Sequence, residues 1–173
     1  MSTKQAAAYI NLDIYEDSVN LLGVVKVKLP SIAYPCVNIS GAGMMGEMEV
    51  PLYGMVSNMT TNINWLTPHG DAVKLMSPKK HQLDMRVAEE FWDVEQADVG
   101  VWADKYVMIV RPKTTDPGTV APMGSADTSG EYVVYYFAAY KDGKQLWEVD
   151  KRNMKCVIDG VDYMAPVRKA LGK

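Results

Sequence analysis

The sequence predicts a mainly β protein, a β-sandwich or a partly closed antiparallel barrel, with one short helix and one long extended loop. Three observations predict it. Polar and apolar residues alternate with period two along several separate stretches, the mark of half-buried strands. Clusters of Pro, Gly and Ser punctuate those stretches at short intervals. The aromatic and β-branched run Tyr132–Tyr140 meets Asp142-Gly143 and then a second such run, the signature of a tight hairpin. About seven strands and one good helix fit that class.

The elements follow in order. In residues 9–16, Tyr9, Asn11, Asp13 and Tyr15 alternate with Ile10, Leu12 and Ile14, so this is a strand. Residues 22–29 set Val25, Val27 and Leu29 against Lys26 and Lys28, and Pro30 stops the strand. Residues 30–53 hold Pro, Gly and Met with no clear period, which predicts a long functional loop. In 55–66, Met59, Thr61, Ile63 and Trp65 share one face and Asn58, Thr60, Asn62 and Asn64 the other. Thr67-Pro68 is a plausible helix start, with Ala72, Leu75 and Met76 on one face and Pro78 beyond the end. That helix should run about ten residues. Strands are expected at 81–95 and 101–112, a flexible loop at 113–130, and a short final helix near 164–171. In the hairpin, Tyr132, Val134, Tyr136, Ala138 and Tyr140 fall on one face and Val133, Tyr135, Phe137 and Ala139 on the other. Both faces are apolar, which suits a central strand or one covered by a partner.

Composition narrows the function. Hydrophobic residues make up 48% of the chain and the mean hydropathy is −0.12, values ordinary for a globular protein. A chain this long can bury about 70% of its unfolded surface, so residues 1–173 are expected to form a single domain. The net charge is −3 and the pI near 5.4, which argues against tight nucleic-acid binding through a strongly basic face. Cys36 and Cys156 lie far apart, outside any metal or redox spacing, and are expected to be reduced thiols of a protein made in cytoplasm. No signal-like apolar segment and no run of ~20 apolar residues is present, so no membrane insertion by this chain is expected.

Several motifs invite chemistry and each has a plainer reading. Gly41-Ala-Gly43-Met-Met-Gly46 fits the dinucleotide fingerprint literally. That site needs a helix after the glycines, and Pro51 forbids a useful one. His69 and His81 have no metal-ligating spacing, and solvent or capping roles suit them better. Glu89, Glu90, Asp93, Glu95 and Asp98 could be catalytic carboxylates or, more simply, a solvated strand end or turn. No catalytic, cofactor or metal residues are assigned, and no enzyme activity is expected.

The C-terminal string carries a resemblance. Asp142, Gly143, Lys144, Glu148, Asp150, Asn153, Met154, Gly160, Val161 and Asp162, followed by Ala170-Leu171-Gly172, resemble the end of the major tail tube protein of contractile-tailed phages and phage-tail-like bacteriocins. Upstream, Leu29-Pro30 and Gly41-Ala42-Gly43-Met44 stand in the family's order. The resemblance implies a tube subunit without cofactor, forming stacked hexameric rings around a channel for DNA or ions. It implies contacts with tail sheath, tape measure, baseplate and tail terminator proteins, and a place in the virion tail or bacteriocin particle. DNA would be met only in transit and without sequence preference. Gly41, Gly43, Met44, Met45 and Met48 become candidates for inter-subunit contact, though a core role suits some of the methionines too. Thr60, Asn62, Asn64, Glu89 and Asp93 become candidates for a channel lining, where the carboxylates of the acidic cluster would repel DNA phosphates. Asp142, Gly143, Glu148, Asp150, Asn153, Gly160 and Asp162 become structural motif residues. The alternatives are a small β-barrel ligand-binding protein, or a baseplate hub protein sharing the tube fold.

Overall fold

A long, curled antiparallel sheet builds most of the molecule. The computed structural model describes residues 4–18, 20–22, 26–68 and 70–173. The strands are β1 (Lys4–Glu16), β2 (Asn20–Leu22), β3 (Lys26–Lys28), β4 (Cys36–Ile39), β5 (Met48–Pro51) and β6 (Met59–Trp65). After helix α1 (Gly70–Leu75) come β7 (His81–Asp93), β8 (Asp98–Asp116), β9 (Thr128–Lys141), β10 (Lys144–Asp150), β11 (Lys155–Ile158) and β12 (Val161–Asp162). Helix α2 (Ala165–Ala170) ends the chain.

Ten strands join in one sheet, in the order β12-β11-β10-β9-β8-β7-β1-β2, with β6 on β9 and β3 on β6. The sheet stays open rather than closing into a barrel. Its spine is the trio of long strands β7, β8 and β9. Their pairing is uninterrupted from His81↔Val110 to Asp93↔Asp98 on one side of β8. One face of the sheet encloses the core, where Ile14, Met59, Ile63, Leu83, Met108, Tyr132, Val134 and Phe137 are shut off from solvent. Ala72 and Leu75 of α1 complete that core, as their spacing on one helical face predicts.

The alternation of β6 is as expected: Met59, Thr61, Ile63 and Trp65 are buried and Thr60, Asn62 and Asn64 are not. Lys26 and Lys28 are exposed while Val27 packs on the core. Val25 falls outside the described residues. Two of the hairpin turns use two residues with positive φ, Asp142-Gly143 (45° and 80°) and Asp159-Gly160 (46° and 81°). That geometry matches the twist of the flanking strands and is why Gly follows Asp at each.

Five expectations are corrected. The 30–53 segment is not all loop, because β4 and β5 pair within it from Cys36↔Pro51 to Ile39↔Met48. The 113–130 segment is mostly strand at its two ends. Thr114↔Glu131 and Asp116↔Ser129 extend the β8–β9 ladder, leaving 117–127 as the connection. Long-range pairing overrides a loop-like composition there. Helix α1 is six residues, and Thr67 and Pro68 lie before it. In β1, Ile10 is exposed, because the ladder to β7 shifts between Tyr9 and Asn11 and breaks the alternation. The fifth correction concerns β9. Ile109 pairs with Tyr136 and the next residue, Val110, with Val134, so Tyr135 is bulged out. A bulge inverts the side-chain phase beyond it. Tyr132 and Val134 therefore share the core face with Phe137 and Ala139, two residues expected on the opposite side.

Candidate assembly surfaces

The β4–β5 arm stands apart from the main sheet. Its base is held by the hydrogen bonds Leu52 N to Pro35 O (2.8 Å) and Ser57 N to Ala33 O (2.7 Å). Tyr53 also meets Tyr163 edge-on, with ring centroids 5.9 Å apart. Beyond that base the arm is bare. Val37, Ile39, Met44, Met45 and Met48 are exposed, and Met45 completely so. A two-stranded ribbon is only marginally stable alone in water. Gly41 and Gly43 lie in its tip, where an added Cβ would meet nothing within 4 Å. The tip runs into β5, so the glycine string faces no helix N-terminus.

The two candidate lining rows lie on opposite faces of the sheet. Thr60, Asn62 and Asn64 point away from the core. Glu89 and Asp93 fall in register with Val87 and Phe91 on the core side and are buried. Asp93 Oδ1 accepts from the N–H groups of Glu95 (3.0 Å) and Gln96 (3.4 Å), so it shapes the β7–β8 turn, where Glu95 and Asp98 are exposed. Glu89 is paired with Lys141, whose ammonium also lies over the Trp102 ring, 3.9 Å from its centroid. Asp104 joins this group. Desolvation, then its hydrogen bond with Glu89, pushes its pKa up to about 6. The acidic cluster is thus part buried network and part solvated turn.

His69 falls outside the described residues, and His81 does not take the solvent position expected of it. It is buried, with Nδ1 2.6 Å from Glu16 Oε1 and Nε2 3.0 Å from the carbonyl of Ser77. It joins the end of β1 to the turn after α1. Among the described residues no group of His, Cys, Asp and Glu has a metal-binding arrangement. Cys36 is exposed and Cys156 buried, both as free thiols.

The C-terminal motif residues form a dense local network. Asp142 Oδ1 accepts from Ala103 N (3.0 Å), pinning the turn to β8. Glu148 pairs with Lys155 at 2.7 Å and accepts from Gln145 and Tyr136. Asp150 accepts from the N–H groups of Arg152 (2.9 Å) and Asn153 (3.1 Å) and from the Asn153 amide (2.6 Å). Asp162 accepts from Arg168 (2.6 Å) and from Met164 N (3.0 Å). The Arg168 hydrogen bond above all holds the Asp162 carboxyl below its ordinary pKa.

Two features escaped sequence reasoning. β1 is paired with β2 only over Ile14–Glu16, so residues 4–13 have one strand neighbour and an open edge among the described residues. That edge carries Ala6, Ala7 and Ala8 with exposed Tyr9 and Ile10. An open apolar trough of about 790 Å³ lies against β1, β7 and β8, lined by residues that include Ala88, Val101, Ala103 and Val107. The alternation of Val99 and Val101 with Gly100 and Trp102 was the signal available for the trough.

Open edges and exposed apolar side chains of this kind suit a subunit that associates with other chains. Residues 8–172 match the family described as phage tail tube protein FII. The chain belongs to that family. It is similar to the tail tube protein of Escherichia phage P2, with 27% identity over 164 residues, covering 93% of this chain and 94% of that protein. It is therefore a tail tube subunit, a structural component of a phage tail that assembles into a tube with other tail components. The family is a structural one and not an enzyme family.

Proposed function

We propose that residues 1–173 form one tail tube domain whose copies close into hexameric rings, and that the rings stack into a tube enclosing a channel for DNA. The observation that carries this reading is the open edge of β1. A bare strand edge bearing small and apolar residues pairs readily with another chain, and ring closure removes such edges. In this reading the sheet of one copy continues into the next through β1. The β4–β5 arm, through Gly41, Gly43, Met44, Met45 and Met48, reaches a neighbouring copy. The face bearing Thr60, Asn62 and Asn64 lines the channel, since Glu89 and Asp93 are turned to the core side. Tail sheath, tape measure, baseplate and terminator proteins are the partners expected of such a tube, and the virion tail its location.

Ala7 sits at a register shift and has no partner in β7, so Ala7→Pro places a proline in the β1 edge at a position outside the β1–β7 register. The variant should keep its far-UV circular dichroism and lose rings and tubes in negative-stain images. Normal tubes from Ala7→Pro and from Lys26→Pro on the β3 edge would sink the proposal.

A further inference from the structure

We propose that Glu89 and Asp104 share one proton, and that this proton fastens the N-terminal half of β1 to the sheet. Four strands bring the groups together. Tyr9 of β1 lies opposite Glu89 of β7, and Asp104 of β8 lies opposite Lys141 of β9. Asp104 also lies opposite Val87, two residues from Glu89, so the two carboxyl groups are diagonal neighbours on one face of the sheet. Glu89, Asp104 and Tyr106 are all buried. The Tyr9 side chain reaches this group, its phenol oxygen 3.4 Å from that of Tyr106. Lys4 lies at the same end of β1, its ammonium 4.7 Å from the centre of the Phe91 ring, which stacks on Trp102 at 4.5 Å.

The hydrogen-bond inventory requires the proton. Two ionised carboxylates have acceptors only, so Glu89 and Asp104 bond to each other only while one of them is protonated. Glu89 is paired with the Lys141 ammonium, so the proton belongs on Asp104. Asp104 Oδ1 is buried with no hydrogen-bond partner among the described residues, and an ionised Asp104 would hold a charge that no donor meets there. The groups facing it are Glu89 from β7, Tyr106 from its own strand, Tyr9 from β1, Lys141 from β9 and Asp142 from the following turn. One ammonium among three carboxylates does not balance them. Burial, then the bond to Glu89, pushes the Asp104 carboxyl up to about 6.

When the proton leaves, water has to reach Asp104. The weakest cover is β1. Its residues 4–13 have one strand neighbour among the described residues, and the ladder to β7 shifts twice, between Ala6 and Ala8 and between Tyr9 and Asn11. Tyr9 is 60% exposed. By contrast β7, β8 and β9 each pair on both sides. Local opening starts where contacts are fewest, so hydration of the carboxylate loosens this half strand and proton uptake fastens it. The same strand carries the open edge, so the proton sets how firmly that edge is presented to another chain.

The experiment follows amide hydrogen exchange of the full-length subunit by mass spectrometry at pH 8 and pH 5. It uses a concentration at which light scattering shows single subunits, so the outcome is independent of ring closure. The closed strand binds the proton more tightly than the open one, so closure is favoured progressively as pH falls through about 6 toward the ordinary carboxylate range near ~4. After correction for intrinsic exchange, protection of residues 4–13 should rise about tenfold from pH 8 to pH 5. Residues 144–150 in β10 should keep the same protection. Asp104→Asn has no carboxyl to ionise, so its residues 4–13 should be equally protected at both pH values. Glu89→Gln frees Lys141 to pair with Asp104 and should shrink the step between the two pH values. No rise in the unsubstituted protein would overturn the proposal. An equal rise in residues 144–150 would do the same, since it would mean a global effect with no special hold on β1. A step that survives undiminished in both variants would place the proton elsewhere and also overturn it.

Discussion

The C-terminal hairpin and the β4–β5 arm contrast in how they are held. In the hairpin, turn residues, carboxylates and aromatic side chains bond to one another within a few residues and to β8 and β9. In the arm, one ladder of four residue pairs joins two strands, and the apolar side chains beyond its base meet solvent. The difference teaches where the stability of the subunit lies and where its capacity for association lies. A segment that saturates its own hydrogen bonds and buries its own aromatics stabilises the fold. A segment that leaves Met and Ile side chains in water adds little to the fold and offers apolar surface to another molecule.

The largest effects should come from breaking that contrast directly. Phe137 is almost wholly buried and packs edge-on against Trp147, with centroids 5.6 Å apart. Phe137→Ala should cost about 3–5 kcal/mol in urea unfolding of the dissociated subunit. Met45→Ala and Met48→Ala should change that stability by less than about 0.5 kcal/mol, yet lower the yield of tubes. Equal stability changes in the two regions would erase the distinction.

An intermediate effect belongs to Asp162. Asp162→Asn weakens the bond to Arg168 that ties α2 to the hairpin and should cost about 1–3 kcal/mol at neutral pH. The folded pKa is depressed, so this contribution is complete above the unfolded carboxylate range near pH ~4 and is lost as pH falls through the folded value. The substituted protein should therefore show a flatter acid limb than the unsubstituted one. Parallel acid limbs in urea unfolding at a series of pH values would rule this out.

The smallest effect sharpens the contrast by finding a flaw inside the well-bonded region. Asp104 Oδ1 is buried with no hydrogen-bond partner among the described residues. The carboxyl has its pKa raised to about 6, so the folded state holds this proton more tightly than the unfolded chain. Its ionisation burdens the fold above pH ~6, and the burden lifts as pH falls toward ~4. Asp104→Asn should raise the melting temperature at pH 8, and the gain should vanish near pH ~4. A constant gain at all pH values would show that shape, not charge, is responsible.

Much of this was legible in the chain itself. The two-residue period of β6 gives its buried and exposed rows, and the Asp142-Gly143 step gives a hairpin turn, because both signals depend on neighbours along the sequence. Most of the Asp142–Asp162 string was legible for the same reason, since Glu148, Asp150 and Asp162 bond to groups close by in the chain or across one turn, whereas Asp142 reaches Ala103 on a distant strand. The arm was not legible, because β4 and β5 are stabilised by each other across a glycine-rich tip and neither has a strong period alone.

Sequence alone thus determined the strand-rich class, the turn chemistry, the motif that resembles the tail tube family, and the two faces of β6. Only the tertiary structure decided that Tyr135 is bulged and that Phe137 turns to the core. The same holds for the burial of Glu89 and Asp93 and for the open edge of β1. The physical reason is common to all of them. Alternation is local, but the side of a sheet that becomes the inside depends on ladder register with strands far away in the chain. One extra residue in that ladder inverts every side chain beyond it.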